Sequence, residues 1–283
     1  MLPALLALGL VSLLGWLAVW LRPGRPWDMA PVAEDAPAPP GPPAWPSVRV
    51  VVPARNEAAS LPLTLPALAA QDYPGDWRIV LVDDRSTDGT ADAARSLGGA
   101  RTSMISGAPL PGGWAGKVWA MRQGAGGADE DYLLLTDADI LHAPGSLRRL
   151  VAESVAGGLG LNSRMARLHC ESRAERLLIP AFVWFFNLLY PMRRVNDDRD
   201  RVAAAAGGCV LLKREALEKA GGFDSIRGEI IDDVALARRV KGAGAASRLS
   251  LSRADVRSLR EYPTLGPIWR MVRRTAFTEL RRS

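Results

Sequence analysis

The chain has 283 residues, enough for one large domain or two small ones, and 48% of them are apolar, ample for a buried core. Its net charge of +6 is uneven: residues 238–283 hold twelve Lys or Arg against three Asp or Glu, leaving residues 1–237 at −3. A basic end on a slightly acidic body excludes nucleic-acid binding by the domain as a whole, and points to a local basic face for an anionic membrane or a phosphorylated ligand.

The chain opens with MLPALLALGLVSLLGWLAVWL, which has no charged side chain. As a helix this run spans roughly 30 Å, enough to cross a bilayer core. No Lys or Arg precedes it, whereas Arg22 and Arg25 follow at once. That pattern predicts an uncleaved anchor over residues 1–22 with its C-terminal side in the cytoplasm, rather than a signal peptide. Residues 23–47, with Pro23, Pro26 and APAPPGPPAWP, read as an extended, semi-rigid tether. A catalytic domain is expected over 48–245, without internal repeats, followed by a basic, membrane-interfacial segment over 246–283.

Within the domain, VRVVVP (48–53) reads as a strand and NEAASLPLTLPALAAQ as the helix after it. RIVLVDD (78–84) is a second strand, DGTADAARSLG a helix, DYLLLTD a third strand, and a helix follows near PGSLRRLVAESVA. This alternation implies right-handed crossovers and a largely parallel sheet, with ligands beyond the carboxyl ends of the strands. All three strands end in polar residues: Arg55, Asn56 and Glu57; Asp83 and Asp84; Asp137 and Asp139. In an extended strand Asp137 and Asp139 share a face, and two like charges so close call for a cation between them. A divalent metal is the candidate.

Blander readings exist for single pieces. Asn56 with Glu57, and Asp88 with Gly89 and Thr90, suit helix starts. Cys170 and Cys209 lack metal-ligand spacing and read as buried, reduced residues. His142 reads as a satisfied surface histidine and His169 as isolated. ERLLIPAFVWFFNLLYPMRR (175–194) is short for a span and reads as a core or interfacial helix, with Trp184, Phe185, Phe186 and Tyr190 suited to the headgroup boundary. The end, PIWRMVRRTAFTELRRS, reads as a basic amphipathic helix carrying Trp269, Met271, Val272 and Phe277. Its Arg270, Arg273 and Arg274 suit either an anionic surface or a diphosphate.

VVPARNEAASL, LVDDRSTDGT, LLLTDADI and IIDDVALARRV, in this order and spacing, resemble the signature segments of family 2 glycosyltransferases over about residues 48–245. More narrowly, the anchor, RPWD (25–28), GWAGKVWA (113–120) and IWRMVRRTAFTELR resemble the hopanoid-biosynthesis-associated glycosyltransferases of bacteria. The resemblance implies a GT-A fold, an α/β Rossmann-like mixed, mainly parallel sheet with flanking helices. It implies that Pro53, Ala54, Arg55 and Glu57 line a nucleotide pocket, and that Asp84 or Asp83 holds the base or ribose. Asp137 and Asp139 answer to the DxD pair that binds Mg²⁺ or Mn²⁺ against the nucleotide diphosphate. Lys117 answers to a diphosphate or donor contact, and Gly207 and Gly208 open a small-residue strand where a sugar meets backbone. Asp233 answers to the catalytic base, with Asp232 where the family usually has Glu.

The implied activity is metal-dependent, inverting transfer from a nucleoside-diphosphate sugar, with a UDP-sugar favoured, to a hydroxyl of a lipid, hopanoid-related acceptor. The implied place is the cytosolic face of the bacterial inner membrane. The Gln-x-x-Arg-Trp segment of processive members does not occur in the sequence, which favours a single transfer. A haloacid-dehalogenase-like phosphatase would use Asp137 as nucleophile but leaves VVPARNE and VDDRSTDGT unexplained. A sugar nucleotidyltransferase would begin on a Gly-rich loop and a Lys. A catalytically inactive, membrane-tethered scaffold is disfavoured by intact Asp84, Asp137, Asp139 and Asp233.

Overall fold

A computed structural model describes residues 2–22, 24–25, 27–29 and 31–280. The side chains of 274–280, Arg274 and Phe277 among them, lie outside the described residues, as do Pro23, Pro26 and residues 281–283.

The strands are β1 (Val48–Ala54), β2 (Trp77–Asp83), β3 (Thr102–Ser106), β4 (Tyr132–Thr136), β5 (Ile140–His142), β6 (Leu161–Met165), β7 (Cys209–Lys213), β8 (Ser247–Leu251) and β9 (Val256–Ser258). Seven of them form one sheet in the order β3-β2-β1-β4-β7-β6-β8, and β5 pairs with β9 apart from it. β3, β2, β1 and β4 run parallel, β7 is antiparallel to both neighbours, and β8 returns parallel to β6. The sheet is therefore mixed and mainly parallel.

The helices are α1 (Leu2–Leu21), α2 (Leu61–Ala69), α3 (Thr90–Leu97), α4 (Gly116–Gly124), α5 (Ser146–Ala156), α6 (Arg173–Leu189), α7 (Met192–Val195), α8 (Arg214–Lys219), α9 (Asp232–Gly242) and α10 (Leu265–Leu280). Helices cover both faces of the sheet, which is why β1 and β4 are rich in apolar residues, with Arg49 the buried exception in β1. Val50, Val52 and Leu134 pack toward Leu61, Leu65 and Leu147 of α2 and α5. Val51, Leu133 and Leu135 pack on the other face with Val118, Met121 and Leu236 of α4 and α9. Each such side chain contributes about 1.5–3 kcal/mol by leaving water.

Several expectations need correction. α2 starts at Leu61 rather than Asn56, because Asn56 turns the chain with a φ of 57°. Gly207 and Gly208 form a turn before β7 rather than opening the strand itself. The proline-rich segment is not a free tether throughout. Val32 bridges to Leu251, and Glu34 Oε1 accepts from the Ser252 hydroxyl and the amides of Arg253, Ala254 and Asp255, at 2.8–2.9 Å. Burial alone would raise the Glu34 carboxyl, yet these donors hold it down at about 2.

Cys170 is exposed, whereas Cys209 is buried and its thiol is pushed up to about 12. His142 is buried between the Thr136 and Ser146 hydroxyls, 2.8 and 3.2 Å away, and burial pushes it down to about 4. His169 is not isolated: its Nδ1 lies 2.9 Å from Glu175 Oε1, and that pairing raises its pKa.

α6 is neither a span nor a wholly buried helix. Ser172 and Glu175 form a reciprocal cap at its start, and it buries Glu175, Ile179 and Asn187. Its Leu177, Phe185 and Leu189 point outward, as do Leu265 and Trp269 of α10, which packs beside it. α1 is the helix long and apolar enough to cross a membrane among the described residues. None of its span is buried, and its Trp16 ring meets Trp184 of α6 at 6.1 Å.

Candidate active site

The loops after β1 and β2 are locked to one another. Non-glycine residues rarely turn through positive φ, and here Asn56 and Arg85 (φ 56°) both do so. Asn56 Oδ1 accepts from the Thr87 amide, and the Asn56 amide donates to Ser86 Oγ. The Glu57 amide donates to Thr90 Oγ1 at 2.8 Å, and the Ala58 amide to Asp88 Oδ2 at 3.0 Å. Asp88 and Thr90 thus brace the site; they do not line it. Pro53 and Ala54 close β1, where the Ala54 carbonyl accepts from the Asp84 amide.

Asp83 turns into its own loop, with Oδ1 accepting from the Ser86 amide. Asp84 faces the site instead. Its Oδ2 lies 3.4 Å from Arg55 Nη1, and a Cβ on Gly116, at the start of α4, would come within 3.4 Å of the same oxygen.

β4 ends at Thr136, so Asp137 and Asp139 sit on a turn, not a strand, and the expected shared face is lost. Each carboxylate meets its own cationic side chain. Asp137 Oδ1 is 2.6 Å from Lys117 Nζ, and Asp139 Oδ2 accepts from Arg260 Nε at 2.6 Å. Arg260 Nη2 also donates to Glu57 Oε1 at 2.6 Å. Burial alone would lower both bases. The Asp137 and Asp232 charges outweigh it at Lys117, as Asp139 and Glu57 do at Arg260, so both are held above their usual ranges.

Asp232 and Asp233 open α9, where a helix start favours negative charge. Asp232 Oδ2 lies 3.7 Å from Lys117 Nζ. Asp233 accepts from the Gly207 amide at Oδ2 and from the Val234 amide at Oδ1, both at 2.8 Å. Burial, then the neighbouring Asp232 charge, pushes Asp233 up to about 6. Burial also raises Asp232. A Cβ on Gly207 would stand 3.2 Å from both Asp233 Oδ2 and Lys117 Nζ, so only glycine leaves the two groups undisturbed. A Cβ on Gly208 would instead stand 3.0 Å from Ile140 Cδ1.

The structure therefore gathers Lys117, Asp137, Asp232, Asp233 and Gly207 into one cluster, and links Glu57 to Asp139 in a second. It adds Arg260, which the sequence does not single out: a lone Arg in SLREYP, inside a basic segment, carries no motif. Among the described residues, no group of three His, Cys, Asp or Glu side chains could hold a metal ion by itself. Two carboxylates are nonetheless a hard-oxygen donor set of the kind that holds Mg²⁺ or Mn²⁺ together with substrate phosphates and water. Asp137 and Asp139 fit such a shared ion, not a closed protein cage.

The model of the family described as Glycosyl transferase family 2 matches residues 49–221. An N-acetylglucosaminyltransferase of Mesorhizobium japonicum is 28% identical over 197 residues, 68% of this chain and 44% of the relative. A 4,4'-diaponeurosporenoate glycosyltransferase of Staphylococcus aureus is 28% identical over 195 residues, 67% of this chain and 50% of the relative. The chain spans about half the length of the curated relatives it matches. Among solved structures, the mannosyltransferase PcManGT of Pyrobaculum calidifontis, in complex with GDP-Man and Mn²⁺, superposes with a TM-score of 0.59 at 26% identity. That match covers 98% of this chain and 73% of the other. A glucosyl-3-phosphoglycerate synthase of Mycobacterium tuberculosis, in complex with Mn²⁺ and UDP-glucose, shares the fold, with a TM-score of 0.52 at 21% identity over 84% of this chain and 79% of the other.

Proposed function

The chain belongs to glycosyl transferase family 2, and from that premise we propose that it moves a sugar from a nucleoside-diphosphate sugar to a hydroxyl of a lipid acceptor at a membrane face, with inversion. The observation that carries this reading is Asp233, fixed by two backbone amides, raised in pKa and one glycine away from the Lys117–Asp137 pair. A carboxylate so placed suits proton removal from the acceptor hydroxyl. As that O–H bond breaks, the acceptor oxygen forms a bond to the anomeric carbon, and the bond from that carbon to the diphosphate breaks. The proton ends on Asp233 and the electron pair on the diphosphate. One base and one in-line displacement invert the anomeric carbon.

Lys117 and Arg260 supply fixed positive charge near the carboxylate pair, where charge develops on the leaving group. Asp137 and Asp139 would hold the Mg²⁺ or Mn²⁺, which neutralises charge on the diphosphate when bound. Arg55 and Asp84 are assigned to the nucleoside end of the pocket, with Pro53 and Ala54 as its floor.

The lipid acceptor is supported by the outward apolar side chains of α6 and α10 beside the unburied α1. A relative named for 4,4'-diaponeurosporenoate supports the same class of acceptor. The narrower assignment to hopanoid-related lipids rests on the sequence resemblance, and so does the placement of the body on the cytosolic side of the inner membrane. The test is a panel of radiolabelled nucleotide sugars incubated with the protein and with bacterial membrane lipids. Label entering the lipid phase only in the presence of Mg²⁺ or Mn²⁺ is the expected result. Transfer to soluble acceptors alone would overturn the lipid assignment.

A further inference from the structure

We infer that Arg260 is a donor-responsive clamp, which pairs with the Asp139 carboxylate and moves onto the donor's diphosphate when that carboxylate is taken by the cation. The inference rests on reading the site as one for a nucleoside-diphosphate sugar. Through two separate nitrogens, Arg260 holds carboxylates from two different strand ends, Glu57 after β1 and Asp139 after β4. The Asp139 and Glu57 side chains are only 9% and 17% exposed, whereas that of Arg260 is 49% exposed. The guanidinium is therefore the solvent-side cover over both acids, and a hydrated cation approaching Asp139 meets it first.

The chain around Arg260 is held on either side. The Leu259 amide donates to the Asp139 carbonyl at 2.9 Å, and the Tyr262 amide donates to Glu175 Oε1 at 2.7 Å. Movement is thus confined to the Arg260 side chain, whose half-exposed position leaves it room to turn. A planar guanidinium with five donors also matches a diphosphate as well as it matches two carboxylates. Lys117 differs in this respect, because Asp232 keeps it paired after Asp137 turns to a cation.

Arg260 and a divalent cation compete for one carboxylate, whereas Arg260 and a cation cooperate on a diphosphate. Removing the arginine should therefore shift the two affinities in opposite directions. The full chain in detergent is titrated with Mn²⁺ alone and with Mn²⁺ plus UDP or GDP, with free Mn²⁺ followed by electron paramagnetic resonance. Arg260→Ala is expected to bind Mn²⁺ alone about threefold to tenfold more tightly, since two acids are left without their cation. It is expected to bind the Mn²⁺–nucleotide about tenfold or more weakly, the scale of one lost charge-assisted contact. Arg260→Lys, which keeps the charge but not the fork, should still hinder Mn²⁺ alone while losing nucleotide affinity. Should Arg260→Ala fold poorly, Arg260→Gln provides the same comparison.

Shifts of the same sign, or no shift in either affinity, would overturn the clamp. Failure of the unaltered protein to bind any nucleoside diphosphate would instead overturn the reading of the site itself.

Discussion

Asp233 shows how burial and one neighbouring charge set the working range of a single side chain. Its carboxyl is pushed up to about 6, and a base must be deprotonated to act. The rate should therefore fall as the pH drops through about 6, where an unperturbed aspartate would keep working to about 4. A pH profile of kcat/KM from 4.5 to 8 checks this. Asp233→Asn keeps the size and the acceptor oxygen facing the Gly207 amide, so it should abolish transfer while nucleotide affinity, measured by calorimetry, stays within about twofold. Turnover like that of the unaltered protein would remove Asp233 from the base role. Asp84, Asp137 and Asp139 stand out in the sequence as candidates because they are acids at the ends of apolar strands, and Asp233 through the family resemblance. Their partners do not stand out. Arg260 reaches Asp139 across 121 positions of chain, and Gly207 matters through its amide and its missing Cβ beside Asp233 and Lys117. A tertiary contact of that kind leaves no local pattern.

At the scale of elements, the apolar runs announced β1, β2 and β4 to within a residue or two, because strands buried on both faces are mostly apolar. β3 escaped notice: TSMIS is short, half polar and lies at the edge of the sheet. Proline content predicts extended backbone over 23–47, yet Ala33–Asp35 form a 3-10 turn, and proline content is silent about docking: Glu34 is what fastens that stretch. Its carboxylate accepts four donors from residues 252–255 on one oxygen of a partly exposed side chain, an arrangement worth in all about 2 kcal/mol, the scale of one charge-assisted bond. Glu34→Ala should destabilise the fold by about 2 kcal/mol in urea unfolding and expose residues 24–47 to proteolysis. The folded pKa lies below the ordinary glutamate value of 4.5, so this stabilisation is complete above about 4.5 and is lost as the pH falls toward about 2. The gap between the two proteins should close over that window. A gap that widened on acidification would contradict the assignment.

For the whole molecule, the proposed membrane association raises the question of how the body would meet a bilayer. Leu177, Phe185 and Leu189 of α6 form an outward apolar face beside Trp269 of α10. Phe185→Glu should weaken association with anionic vesicles severalfold in flotation assays and leave Mn²⁺–nucleotide affinity unchanged. Equal flotation of the two proteins would detach α6 from the membrane. The fastening of Val32–Asp35 carries a different consequence. Were residues 22–47 loose, the body could wander as far as about 90 Å from the end of α1; stitched down at Val32, the leash is about ten residues and at most roughly 35 Å. With Trp16 resting on Trp184, an α1 that spans a bilayer as proposed would hold the carboxylates at a nearly constant height, like a blade set at one depth. An acceptor would then be chosen partly by how far its hydroxyl stands above the lipid surface, so that lengthening a lipid's polar head should silence it without altering the group that reacts.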